Sequence, residues 1–128
     1  MITDRYIKLI DKLSSKTQEK KVIWQRSSSQ DEFKLELEKG AITIGKYEGD
    51  FNNAPEVFIN IYNDRGDRID VISINGSDKH FEYINEFYSS IRRSYYKVDE
   101  TIDSIFNELE SDKTLGAPEI SEDDDLPF

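Results

Sequence analysis

The residues best suited to chemistry are the last six of the chain: Asp123, Asp124, Asp125, Leu126, Pro127 and Phe128. Phe128 joins a ring that an apolar pocket can bury to an α-carboxylate that an arginine can pair with in bidentate fashion. Pro127 fixes its own φ, so less conformational entropy is lost on docking, and Leu126 adds a second apolar contact. The three aspartates steer the segment towards a basic surface. The residue types and order of this segment therefore predict a short linear binding motif.

This run resembles the acidic C-terminal tip of bacterial single-stranded DNA-binding proteins, which ends in acids, a small apolar residue, Pro and Phe. In that family the tip recruits helicases, nucleases, and primosome and recombination proteins to exposed single strands. The resemblance implies that Phe128 is the anchor and that Asp123, Asp124 and Asp125 contact basic side chains. It covers these six residues only. The family's body is an OB-fold barrel with a basic, aromatic-lined groove, whereas this chain has an acidic body that begins with a predicted helix.

A solubilising acidic tail is the alternative interpretation of the same segment. Proline is only about one residue in twenty, so Pro-Phe directly after Asp-Asp-Asp-Leu is improbable by chance. The sequence therefore favours the binding motif.

The charge of the chain is strongly negative and unevenly placed. The net charge is −10, and residues 112–128 contribute −5 through six acidic residues and one lysine. Acidic surfaces repel phosphate backbones, so no direct nucleic-acid binding is expected, and any link to DNA should run through another protein. There are no cysteines, and no apolar run of signal-peptide or membrane-spanning type is evident. We expect a cytoplasmic protein without membrane contact.

Other candidate sites are weaker. His80 is the only histidine, and a metal site or catalytic triad needs partners that the chain lacks. Arg65-Gly66-Asp67 spells a cell-adhesion tripeptide, but it falls in a predicted hairpin turn. No paired acid/base arrangement or glycine-rich phosphate loop stands out. The expectation is a non-enzymatic protein with no metal and no cofactor.

Two segments combine basic and aromatic residues, and each has two interpretations. Either segment is a stacking site for single strands or a dock for an acidic peptide, or its aromatic residues belong to the core, which helical spacing favours. The first segment contains Lys20, Lys21, Trp24 and Arg26; the second contains Arg92, Arg93, Tyr95, Tyr96 and Lys97.

The elements that position these residues are predicted from hydrophobic periodicity. Thr3 is the predicted N-cap of a first helix, whose apolar stripe consists of Tyr6, Ile7, Ile10 and Leu13. Four strands follow, centred on 33–37, 42–44, 57–61 and 69–71, with turns at Lys39-Gly40 and 63–67. Two hairpins joined by a loop predict an antiparallel meander.

A long helix is predicted to begin at Ser77 or Asp78. Its apolar positions, at spacings of three and four, are Phe81, Ile84, Tyr88, Ile91, Tyr95, Val98, Ile102, Ile105 and Leu109. Through Glu110 it would be roughly 50 Å long, whereas strands of this size run about 20 Å. The helix therefore either breaks near Asp99, as a new N-cap, or overruns the sheet and packs on a partner. The segment Val98–Leu109 either covers the sheet or forms the seam of a homodimer.

The sequence thus predicts an α+β fold: an N-terminal helix, a four-stranded antiparallel meander and a long C-terminal helix on one sheet face. Residues 1–111 form the domain, and residues 112–128 form a flexible acidic tail. The expected function is an adaptor or decoy, of the kind encoded by phages or plasmids, that binds replication and repair proteins through the tail. The alternative is an acidic DNA mimic or inhibitor that acts through its body.

Overall fold

The computed structural model of the chain describes residues 2–27 and 31–117. Its elements, in chain order, are α1 Asp4–Gln18, β1 Gln25–Arg26, β2 Glu32–Leu37, β3 Gly40–Tyr47, β4 Glu56–Asn63, β5 Arg68–Asn75, α2 Phe81–Tyr95 and α3 Val98–Leu109. The predicted α+β class is confirmed. The chain divides into two units, Met1–Val98 and Asp99–Phe128. No helix within the described ranges is long and apolar enough to cross a membrane.

The first helix forms as predicted and is capped by Thr3. The Thr3 Oγ1 atom accepts a hydrogen bond from the Tyr6 backbone N–H at 3.4 Å, which satisfies one of the open donors of the first turn. Ile10 and Leu13 are buried, while Tyr6 and Ile7 are partly buried against the core. The predicted apolar stripe is therefore the face that α1 presents to the rest of this unit.

The sheet is an antiparallel meander in the order β1-β2-β3-β4-β5. The four predicted strands are β2 to β5, and β1 is a fifth strand that the sequence did not indicate. It has only two residues, with Gln25 opposite Lys34 and Arg26 opposite Phe33. Both of its residues are polar and exposed. Since neither carries an apolar pattern, this strand exists only through its pairing with β2.

One face of the sheet forms the hydrophobic core. The register places Phe33 opposite Ile44, Ile44 opposite Ile59 and Ile59 opposite Ile72, and all four side chains are buried. Because strand side chains alternate between faces, this row points towards the helices, and the intervening residues point the other way. The period-two pattern of the sequence is thus realised as one apolar face and one more polar face.

Helix α2 packs against α1 and against β3, β4 and β5. Ile84, Phe87, Tyr88 and Ile91 are its buried residues. It begins at Phe81, later than the predicted start at Ser77 or Asp78. The Asp78 carboxylate instead accepts the His80 backbone N–H at 2.7 Å, and the Asn75 side chain accepts that of Ser77 at 3.0 Å. These local turns delay the helix.

The predicted long helix is two helices. Helix α2 ends at Tyr95, Lys97 has a φ of +54°, and α3 begins at Val98. A residue in the left-handed region ends a helix because it cannot continue the right-handed backbone. The break thus lies two residues before Asp99, which belongs to the first turn of α3 and is not its N-cap.

Candidate functional site

The predicted binding motif, Asp123 to Phe128, lies outside the described residues, which end at Ala117. Residues 110–117 precede the undescribed part of the chain. They contain no helix or strand and are exposed throughout. The candidate surfaces that remain are those formed by described side chains.

The second basic-aromatic segment forms a cluster of rings at the end of α2, anchored on Phe33. The Phe33 ring is buried, and its centroid lies 5.8 Å from that of Tyr88 and 5.3 Å from that of Tyr95. The Tyr95 ring in turn meets the Tyr96 ring edge-on at 4.9 Å. Such tilted and edge-to-face contacts are the favoured geometries of aromatic pairs. Tyr95 is therefore a packing residue at the edge of the core, as its helical spacing indicated.

Tyr96 differs from Tyr95 because its side chain is 43% exposed. The Arg92 guanidinium carbon lies 5.0 Å from the centroid of the Tyr96 ring, a cation–π distance. These two side chains, with Ser89, Arg93 and Val98, line a cavity of about 410 Å³. A cavity with one aromatic wall and two guanidinium groups suits a carboxylate or an acidic peptide. Within the second basic-aromatic segment, this cavity is therefore the part that is still a candidate binding site.

The first basic-aromatic segment is not a stacking site. Trp24 is 5% exposed, and its indole Nε1–H donates to the Thr17 hydroxyl at 3.0 Å. The Trp24 ring also meets that of Phe87 at 6.2 Å in a T-shaped arrangement. A base cannot stack on a ring that is already covered, so the interpretation of Trp24 as a core residue is confirmed.

His80 and the Arg65-Gly66-Asp67 tripeptide have local structural roles. His80 occupies the N-cap position of α2, and its Nδ1 atom lies 3.5 Å from the Asp78 carboxylate. The tripeptide lies in the β4–β5 turn, where the Asn63 side-chain oxygen accepts the backbone N–H groups of Arg65 and Asp67, each at 3.0 Å. Across residues 2–27 and 31–117, no group of three or more His, Asp or Glu side chains is arranged to hold a metal ion.

Sequence reasoning missed a polar groove on the sheet face opposite the core. This groove has a volume of about 530 Å³, and the acidic side chains that line it are Glu32, Glu36, Glu38 and Asp64. Lys34 also lines it and pairs with Glu36 at 2.9 Å, a hydrogen bond that raises the pKa of Lys34. Thr43 also lines the groove, and its hydroxyl accepts a hydrogen bond from the Asn60 amide at 3.0 Å. The alternation of apolar and charged residues in β2 predicted that this face is exposed to solvent. The groove itself forms only because the register of β2, β3 and β4 brings its lining residues together.

No protein-family model matches the chain, and comparison with curated proteins and with solved structures likewise yields no match.

Proposed function

We propose that this protein is a non-enzymatic adaptor or decoy whose segment Asp123–Phe128 binds proteins that recognise the tip of bacterial single-stranded DNA-binding proteins. Those partners act in DNA replication, repair and recombination. The proposed setting is the cytoplasm of a bacterium, and a phage or a plasmid is one proposed origin of the protein. The observation that carries the proposal is the residue order Asp-Asp-Asp-Leu-Pro-Phe. The exposed, irregular stretch 110–117 that leads towards it supports the proposal, because such a stretch leaves a peptide accessible.

The proposed contacts follow from the chemistry of the segment. The Phe128 ring fills an apolar pocket of the partner, and in a peptide that ends at this residue the α-carboxylate pairs with an arginine. The aspartates lie along a basic ridge and raise the rate of encounter more than the affinity. An adaptor would leave the partner active, whereas a decoy would displace the single-stranded DNA-binding protein. Both roles predict competition between the two tails for one receptor, so the activity of the partner on single-stranded DNA, measured with and without the full chain, separates them.

The test is a fluorescence anisotropy titration of a peptide of residues 121–128 against a purified bacterial exonuclease or helicase that binds the single-stranded DNA-binding tip. We expect saturable binding that weakens as salt rises, because screening acts on the aspartates. Deleting Phe128, or adding one glycine after it, should abolish binding. A scrambled peptide of the same composition is the control for charge alone. Equal affinity with and without Phe128 would refute the proposal.

A second candidate function, an acidic inhibitor that mimics DNA through its body, has one structural observation in its favour. The groove on the open sheet face gathers Glu32, Glu36, Glu38 and Asp64 within one concave surface. Inhibition of a DNA-binding enzyme that persists without Phe128 but is lost when Glu36 and Glu38 become glutamine would support this function over the first.

A further inference from the structure

Helix α3 carries a set of apolar side chains that are exposed although they share one helical face. Ile102, Ile105, Phe106 and Leu109 are 42%, 50%, 58% and 60% exposed. They follow Val98 at spacings of 4, 7, 8 and 11 residues, which places them within one stripe of a helix with 3.6 residues per turn. No residue of α3 is buried. Exposed large apolar side chains in one contiguous stripe usually mark an interaction surface.

The polar face of α3 has a single sign of charge. Asp99, Glu100, Asp103 and Glu108 are acidic, and the helix contains no lysine or arginine. At 100° per residue, Asp99 and Asp103 lie along the edge of the stripe beside Phe106, and Glu108 lies along the other edge. A surface that complements α3 must therefore be apolar in the middle and basic at its rim.

A second copy of α3 does not meet this requirement. Two such helices would place carboxylates against carboxylates along their shared edges, and like charges at those positions are destabilising. The helix has 12 residues, fewer than two heptads, whereas coiled coils are recognised over three or four. The homodimer seam considered from the sequence is thus disfavoured by both charge and length.

We propose that α3 is a recognition helix that docks in an apolar groove with a lysine- or arginine-rich rim on another protein, and that this protein is the receptor of the Asp123–Phe128 segment. This inference rests on the proposed function of that segment. The helix would insert Ile105 and Phe106 as anchors, in the helix-in-groove mode of recognition. Its carboxylates would pair with the rim, just as the aspartates of the terminal segment pair with a basic ridge.

The distance along the chain allows one receptor to hold both elements. From Leu109 to Asp123 there are 14 residue steps, which can span at most about 50 Å. When two elements on a short connection bind one partner, the second association is intramolecular, and the affinity of the pair exceeds that of either element alone. The full chain should therefore bind its receptor more tightly than the terminal peptide does.

The experiment compares three ligands for the same purified exonuclease or helicase: the peptide of residues 121–128, the full chain, and the full chain with Ile105→Ala and Phe106→Ala. Alanine keeps helix propensity high, and both side chains are exposed, so the fold should be retained. The matched control is Ser104→Ala with Asn107→Ala, which changes the polar face of the same turn. A further variant, Asp103→Asn with Glu108→Gln, tests the rim contacts. Circular dichroism verifies the helix content of each variant.

We expect the affinity of the full chain for the exonuclease or helicase to exceed that of the peptide by about tenfold or more. The Ile105→Ala/Phe106→Ala variant should fall to the affinity of the peptide, the charge variant should lose several-fold, and the control should match the parent. Equal affinities of peptide and full chain would overturn the inference while leaving the tail proposal standing. A peptide that fails to bind would overturn both. A dimer in sedimentation velocity that dissociates on Ile105→Ala/Phe106→Ala would assign the stripe to a second copy and overturn the inference as well.

Discussion

Tyr83 of α2 donates its hydroxyl hydrogen to the Asp11 carboxylate of α1, and this bond joins the two helices. A similar pair joins α1 to the sheet, where the Tyr6 hydroxyl donates to Asp70 of β5. Helix α1 is therefore held by one tyrosine–carboxylate hydrogen bond to α2 and by another to β5. Both bonds connect residues more than 60 positions apart in the chain, so they exist only when the fold is complete.

The first prediction concerns the pH dependence of stability. Burial, followed by the hydrogen bond to Asp11, raises the pKa of Tyr83 from 10.0 to about 12. A pKa that is raised in the folded state means that the contribution of Tyr83 is complete below pH 10 and is lost as pH rises through 12. Urea unfolding at pH 8 should show wild type about 1 kcal/mol more stable than Tyr83→Phe, and the difference should shrink by pH 11. An unchanged difference at the two pH values would contradict this assignment.

The second prediction concerns the buried hydroxyl of Thr17. It donates to the Leu13 carbonyl oxygen at 2.7 Å and accepts the Trp24 indole N–H at 3.0 Å. Thr17→Val keeps the shape but leaves the indole N–H without its acceptor, at a cost of about 1–3 kcal/mol. Thr17→Ser should recover most of that loss because it retains the oxygen. Trp24 is the only tryptophan, so its fluorescence reports both unfolding and any change at this site. A valine variant as stable as wild type would refute the role of this bond.

The third prediction compares two glycines in β3 that lie close to different kinds of neighbour. A Cβ atom at Gly40 would lie 2.5 Å from the Tyr62 backbone oxygen, whereas one at Gly45 would lie 2.5 Å from the Phe58 ring. The ring can swing away, but the paired backbone cannot. Gly40→Ala should therefore cost about 1–3 kcal/mol, and Gly45→Ala should cost less. Chemical denaturation of the two single variants measures both costs, and the reverse ranking would show that the sheet yields more readily than the ring.

The fold was largely predictable because its patterns are local. The stripe Ile10–Leu13 and the alternation in β2 state directly which face is buried. Strand β1 was not predictable, since Gln25 and Arg26 have no apolar pattern and pair only because β2 lies beside them. The break between α2 and α3 was predictable in part. The length of the predicted helix indicated an interruption, but the three- and four-residue apolar spacing continues past Lys97. Only the left-handed backbone of Lys97 in the structure reveals where the break lies.

The candidate sites divide in the same way. The Asp123–Phe128 motif is a property of residue order alone, so the sequence is sufficient to propose it. The cavity beside Tyr96 depends on the stacking of Arg92 over the ring, and sequence proximity only suggested it. The groove at Glu36 and Asp64 joins residues from separate hairpins, and no single stretch of sequence carries that signal.

The last prediction is that the folded body does not bind DNA. Residues 1–117 carry 17 basic and 22 acidic residues, a net charge of −5, so the long-range field opposes phosphate. Trp24 is buried and cannot stack on a base, which leaves the cavity beside Arg92 and Tyr96 as the basic-aromatic candidate for a single strand among the described residues.

Gel-shift titrations of the full chain and of residues 1–117 with single- and double-stranded DNA at physiological salt should show no complex at micromolar protein. Removing residues 118–128 takes away five acids and no base, so it tests whether the terminal segment merely masks a binding surface. Binding that falls steeply with salt and disappears in Arg92→Ala/Arg93→Ala would instead make that cavity a single-strand site and would overturn the decoy proposal.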